Sequence, residues 1–246
     1  MRSRTLRRTV AAAVAVPALV FSMAACSDDS GGGKKGGGKS EQDGGGSGGG
    51  SGEEKPGPLS KAQLSTALLK NGDVPGYKVR KSAEPLKNEN LPPAQAQCKP
   101  VLDAFTADSK QKRKAYVGGS VAKGEMTTGQ TINQVLLSAY GSGDAETVMS
   151  ELKSGLKTCK EIAGEGKGGK TEKVAIQESQ APDLGDDSVR FLLKNTTSKS
   201  ASLSMTVIRS GANTTSFMSL SLGGKEANVP DAVAKKQVAK VEAAQS

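Results

Sequence analysis

ASLSMTVIRSGANTTSFMSLSL, residues 201–222, is two alternating runs joined by a short polar turn. In the first run Leu203, Met205 and Val207 share one face, and Ser202, Ser204 and Thr206 share the other. Met218, Leu220 and Leu222 repeat the alternation in the second. A period of two marks a strand with one buried side. The link Ser210-Gly211-Ala212-Asn213 is too short for a crossover, so the two strands must be antiparallel neighbours.

Upstream, Val189, Phe191 and Leu193 alternate in the same way, linked to the first run through Thr197-Ser198-Lys199, and Lys173–Gln180 reads as a further strand. The C-terminal half is therefore expected to be a meander with one buried and one polar face. Two earlier runs, 114–125 and 130–140, read as strands joined by a turn ending at Gly129, and Tyr77-Lys78-Val79 as a short strand.

Helices are expected between these runs. Ser60 and Gln63 form a capping-box pattern ahead of Leu64, Ala67 and Leu68, and Asn71-Gly72 is expected to end that helix. Pro92–Phe105 reads as a helical region around Cys98, restarted at Pro100. Residues 142–162 form the clearest helix, with Ala145, Val148, Leu152, Leu156 and Cys159 on its apolar face. Asp144 and Glu146 open it, and Lys157 and Lys160 close it, as the helix dipole favours. Pro230 opens a last helix with Ala234, Val238 and Val241 inward. The expected fold is α+β: an antiparallel sheet of about 5–7 strands with helices packed on one face and one disulfide.

GEGKGGKT, residues 164–171, has the letters of a phosphate-binding loop. That chemistry needs a strand before the loop and a helix after it, so that amides and helix dipole converge on phosphate. Here a helix is expected before Gly164 and a strand after Thr171, with Gly164 ending the helix. Nucleotide binding is excluded on that order.

The N-terminus carries four arginines (Arg2, Arg4, Arg7, Arg8), an apolar run from Val10 to Met23, and then Ala24-Ala25-Cys26. The run would span about 21 Å as a helix, short of a bilayer core of about 30 Å, and so reads as an export signal over 1–25. Small residues before Cys26 resemble the lipobox of bacterial lipoproteins. The resemblance implies that Cys26 is lipidated and becomes the first residue of an exported protein held on the outer face of the cell membrane. Arg7-Arg8 leaves the twin-arginine route open beside the general one. Residues 26–57 are Gly, Ser and charge without a large apolar side chain, and read as a disordered tether reaching about 30 Å. Residues 58–246 are then one domain.

The chain has three cysteines and no histidine. In an exported chain the pair left after Cys26, Cys98 and Cys159, suggests a disulfide. Absence of His, and of any C-x-x-C, argues against a metal, and with it goes the commonest general base. S-x-x-K recurs along the chain, as at Ser109, Ser150 and Ser154, without its companion motifs. Asp183, Asp186 and Asp187 lack the spacing of a calcium loop. The net charge of +9 comes without the aromatic platforms of a single-strand binder: the chain has three Tyr, four Phe and no Trp. The basic run KQKRK, 110–114, reads as solvated surface. No enzyme, cofactor, metal or nucleic-acid partner is expected.

Over residues 59–246 the chain resembles the PknH-like extracellular sensor domain of actinobacterial lipoproteins and receptor kinases. The resemblance lies in LSKAQLSTALLKNGDVPGYKV with its D-x-P-G-Y turn (Asp73–Tyr77), the helix ending at Cys159, APDLGDDSVRFLL (181–193) and VIRSGANTTSFMSL (207–220). It implies an α+β fold with a cleft for an undefined extracellular ligand. Family members commonly carry two disulfides and some a kinase domain. This chain can form one disulfide and is expected to carry no kinase domain, so the resemblance implies a binding module. The functional expectation is a non-catalytic ligand-binding lipoprotein. A carrier of a lipid or cell-envelope precursor in an apolar cavity is the alternative. Phe191, Met205 and Met218 are candidates for lining a pocket, with ordinary core as their other reading.

Overall fold

The computed structural model describes residues 57–86, 96–124, 131–165, 171–196, 201–222 and 226–246. The signal, Cys26, the tether, the centre of GEGKGGKT, the turn ending at Gly129 and the 197–199 link lie outside these residues. The central hairpin is as expected: β7 (Ala201–Ser210) pairs with β8 (Asn213–Leu222) through Gly211, which takes the positive φ of 59° that the tight turn requires. Before them run β1 (Tyr77–Ser82), β2 (Ala115–Lys123), β3 (Thr131–Ala139), β4 (Glu161–Glu165), β5 (Thr171–Ser179) and β6 (Asp187–Asn195). All neighbours are antiparallel, in the order β1-β2-β3-β8-β7-β6-β5-β4.

Among the described residues the helices are α1 (Lys61–Ala67), α2 (Lys99–Asp103, after a 3₁₀ turn at Ala96–Cys98), α3 (Asp144–Thr158) and α4 (Asp231–Ala243). The Ser60 capping box forms, with the Gln63 amide donating to Ser60 Oγ at 3.3 Å and the Ser60 amide to Gln63 Oε1 at 3.0 Å. Asp144 and Glu146 do occupy the first turn of α3, but its buried stripe holds Met149 rather than Val148.

The α+β class stands, with three revisions. The sheet has eight strands, not five to seven. The extra edge strand is β4: α3 stops at Thr158, four residues early, and Cys159 is extended. Gly164 therefore lies in a strand, paired with Glu172, and GEGKGGKT joins β4 to β5 instead of closing a helix. Edge pairing overrides the weak strand propensity of EIAGE. The order strand–loop–strand still leaves no helix after Thr171 to face a phosphate.

The third revision concerns the faces. Register places Val135, Leu137, Phe217 and Ile208 on one face, which packs against α1 and α4. Val189, Phe191, Leu193 and Met205 lie on the other, which packs against α2 and α3. Helices thus cover both faces. The Ser/Thr side of β7 and β8, expected to be solvated, is buried beneath α1 and α4: Ser204, Thr206 and Ser219 are at most 1% exposed. Two of these hydroxyls find internal partners: Ser219 donates to Asn133 Oδ1 at 2.7 Å and Arg190 Nε donates to Thr206 Oγ1 at 3.0 Å, whereas Ser204 Oγ is buried without one among the described residues.

Two buried amides lock this layer. Gln237 of α4 donates to the Ala67 carbonyl at 2.9 Å and accepts from the Leu69 amide at 3.0 Å, so it closes the C-terminus of α1. Asn213 accepts from the Leu59 amide at 2.9 Å and donates to Gln245 Oε1 at 3.1 Å, which ties both ends of the described chain to the β7–β8 turn. Gln237→Leu keeps the volume but strands two buried backbone groups. We expect it to cost about 2–4 kcal/mol, read as a lower urea midpoint at unchanged slope; an unchanged midpoint would refute the cap.

Candidate functional site

α3 crosses the second face from β3 to β4, a span of 15 residues or about 22 Å. It packs on β5, β6 and β7 and leaves the β3–β8 end of that face open. A cleft of ≈ 620 Å³ occupies the space, a volume typical of small-molecule sites. Its floor is Leu136, Leu203, Met205, Ser216 and Met218.

One wall is the end of α2 with the residues after it, Ala104, Phe105 and Thr106. The Cys98–Cys159 disulfide, with Cα atoms 4.9 Å apart, fastens the start of α2 to the end of α3. Arg113 fastens the loop that follows. Its guanidinium donates to the carbonyls of Thr106 (2.8 Å) and Asp103 (3.0 Å) and to the hydroxyls of Ser109 (3.0 Å) and Ser138 (3.1 Å), and it lies 5.9 Å from the Tyr140 ring centroid. The reading of KQKRK as solvated surface fails at this residue.

The opposite wall is β1 and the segment Ser82–Leu86, which folds back across the face. Gly118 permits this: a Cβ there would lie 2.6 Å from Pro85 Cβ and 2.7 Å from the Val135 carbonyl oxygen. The Asp73–Tyr77 turn aims β1. Asp73 accepts from the Lys70 amide at 2.8 Å and pairs with Lys240 of α4. Lys240 is the main reason its carboxyl sits below the usual carboxylate range, against a smaller upward push from burial. A second recess of ≈ 420 Å³ shares the Lys81–Leu86 wall and holds Lys61, Lys114 and Tyr116, the last 39% exposed.

Phe191, Met205 and Met218 prove to be consecutive members of one cross-strand row on the second face. Exposure rises along it. Phe191 (0%) is core under α3, so its pocket-lining reading is overturned; Met205 (1%) and the half-buried Met218 line the cleft. Register continues the row through Gln134 and Ser120 to Arg80, all three in the cleft lining. Sequence reasoning missed Arg80, Gln134 and Phe105, because nothing in their spacing marks the gap that α3 leaves. The cleft holds hydroxyls (Ser82, Ser120, Ser216) and a carboxylate, Glu84, and no hydrogen bond joins them among the described residues. Nor do the described residues include a cluster of His, Cys, Asp or Glu able to hold a metal.

The architecture is an eight-stranded antiparallel sheet with a cleft on one face. It has the fold of the extracellular domain of PknH from Mycobacterium tuberculosis: TM-score 0.52 at 12% identity, over 77% of this chain and 98% of that one. An uncharacterised Mycobacterium smegmatis protein, the Rv0999 ortholog, aligns at TM-score 0.35 and 16% identity, over 74% and 92% of the two chains. No family model and no curated protein sequence matches the chain.

Two outcomes test the walls. Arg113→Lys keeps the charge but loses the fork. It should cost about 2 kcal/mol and speed amide exchange at Phe105–Ser109; unaltered exchange there would exclude the clamp. Asp73 is held ionised, so its contribution is complete above the unfolded carboxyl value near ~3.9 and disappears as pH falls through its lower folded value. The stability gap between wild type and Asp73→Asn should thus be wide at neutral pH and narrow as pH falls below the unfolded carboxyl value. A gap independent of pH in urea titrations would show that the ion pair is not its source.

Proposed function

We propose that the chain is a lipoprotein anchored through lipidated Cys26 on the extracytoplasmic face of the cell membrane, presenting on the 26–57 tether a non-catalytic domain that binds a small ligand. The observation that carries the reading is the cleft: a floor of apolar side chains, a polar and charged wall, and no coupled nucleophile and base among its described residues. The fold shared with an extracellular domain supports the location, and the disulfide suits an oxidising compartment. The described residues include no helix long and apolar enough to cross a membrane.

A lipid or envelope-precursor carrier is the second reading, favoured by the apolar Leu203, Met205 and Met218 on the cleft floor. Both need an occupant, and differ in whether it is delivered elsewhere.

Fractionation tests the anchor. The full chain should sediment with membranes and Cys26→Ala should not; a Cys26→Ala protein that still sediments would sink the lipid-anchor reading. For the cleft, mass spectrometry of purified full chain should find a bound species that Met218→Glu lacks, and an identical profile in both would place binding elsewhere.

A further inference from the structure

The cross-strand row that floors the cleft is graded in chemistry as well as in burial. From under α3 outward it runs Met205, Met218, Gln134, Ser120, Arg80, one residue from each of five neighbouring strands. Four strand spacings of about 4.8 Å make it about 19 Å long. Leu203 and Phe105 thicken the apolar end; Lys81 also borders the cleft, but as the next residue after Arg80 in β1 it belongs to the face that α1 covers. Among the described residues neither Arg80 nor Lys81 has an ion-pair partner, and Glu84 is the one carboxylate in the cleft lining. A basic strand edge is a common guard against edge pairing. That does not account for a cation standing at the far end of an apolar-to-polar floor, in line with it.

A neutral apolar ligand would leave Gln134, Ser120 and Arg80 without purpose. A sugar or free anion would leave the half-buried Leu203 and Met218 without an apolar cover. We infer that the cleft takes an anionic amphiphile lying across the strands: a lipid whose apolar chain rests on Leu203, Phe105 and Met218 and whose phosphate or carboxylate head meets Arg80. The polar linkage between chain and head falls over Gln134 and Ser120. The inference rests on the ligand-binding reading of this cleft and specifies its occupant.

The experiment uses the purified full chain and three probes: dodecyl phosphate, dodecyltrimethylammonium with the same chain and opposite head, and inorganic phosphate. Binding is followed by calorimetry below the critical micelle concentrations. Dodecyl phosphate should bind saturably, the cationic probe at least about tenfold more weakly, and inorganic phosphate without saturation. Arg80→Gln, on an exposed edge and harmless to folding, should weaken dodecyl phosphate about tenfold and leave the cationic probe unchanged or better bound, whereas Lys81→Gln on the other face should leave both unchanged. Met218→Gln should weaken both long-chain probes. Equal binding of the two long-chain probes would overturn the anionic head while leaving the cleft as a ligand site. Tight inorganic phosphate would overturn the lipid chain. No saturable binding of any probe, with the folded state confirmed by its unfolding transition, would overturn this inference but not ligand binding by another class, which the co-purifying species tests separately.

Discussion

Everything in this domain hangs on the pairing of β3 with β8. Nine residues of one lie against nine of the other, from Thr131 opposite Ser221 to Ala139 opposite Asn213. This one ladder joins the N-terminal sheet of β1–β3 to the C-terminal meander of β4–β8. It can form only if the chain leaves β3, crosses to the far edge and works its way back, and α3 is that crossing. Where α3 lies, the second face is core; where it does not reach, the face is a cleft. Long-range pairing of this kind is entropically expensive to close. The devices that fasten it are concentrated where distant segments meet: the disulfide, Gln237, Asn213 and Arg113.

The two faces solve the burial problem differently. Beneath α1 and α4 the sheet presents small hydroxyl-bearing side chains between Phe217, Ile208 and Leu137. Small side chains let a helix approach the sheet, and internal hydrogen bonds meet most of the desolvation cost. Beneath α2 and α3 the side chains are larger and apolar, and the five-residue α2 is too short to cover what α3 leaves. The same composition that makes a good core under α3 therefore becomes a partly exposed apolar floor two strands away. The cleft results from incomplete cover rather than from a special motif.

Local signals in the sequence were strong enough to place most elements. The Ser60 capping box, the acidic start of α3, the two-residue turn at Gly211-Ala212 and the alternation of β6–β8 each depend on residues within a few positions of one another, and each survives in the fold. Cys98 and Cys159 were readable as a pair once the N-terminus was read as an export signal that sets Cys26 apart. Failures came where a distant partner decides. EIAGE becomes β4 because β5 offers it a ladder. Arg113 looks like one more lysine-rich surface residue until four acceptors from three segments surround it. Gln237 carries no apolar signal, yet it is fully buried because α1 ends against it.

By itself the sequence determined the α+β class, the antiparallel meander, the helix starts and the cysteine pair, since periodicity, caps and turns are short-range physics. Tertiary structure alone decided which of two alternating faces each helix would cover, because a period of two distinguishes the faces of a strand without saying what lies above either. That choice buried the Ser/Thr side, put Phe191 in the core and Met218 at the surface of the same row, and set Arg80 at the end of it. The candidate site is a product of that choice, assembled across five strands from residues with no common motif.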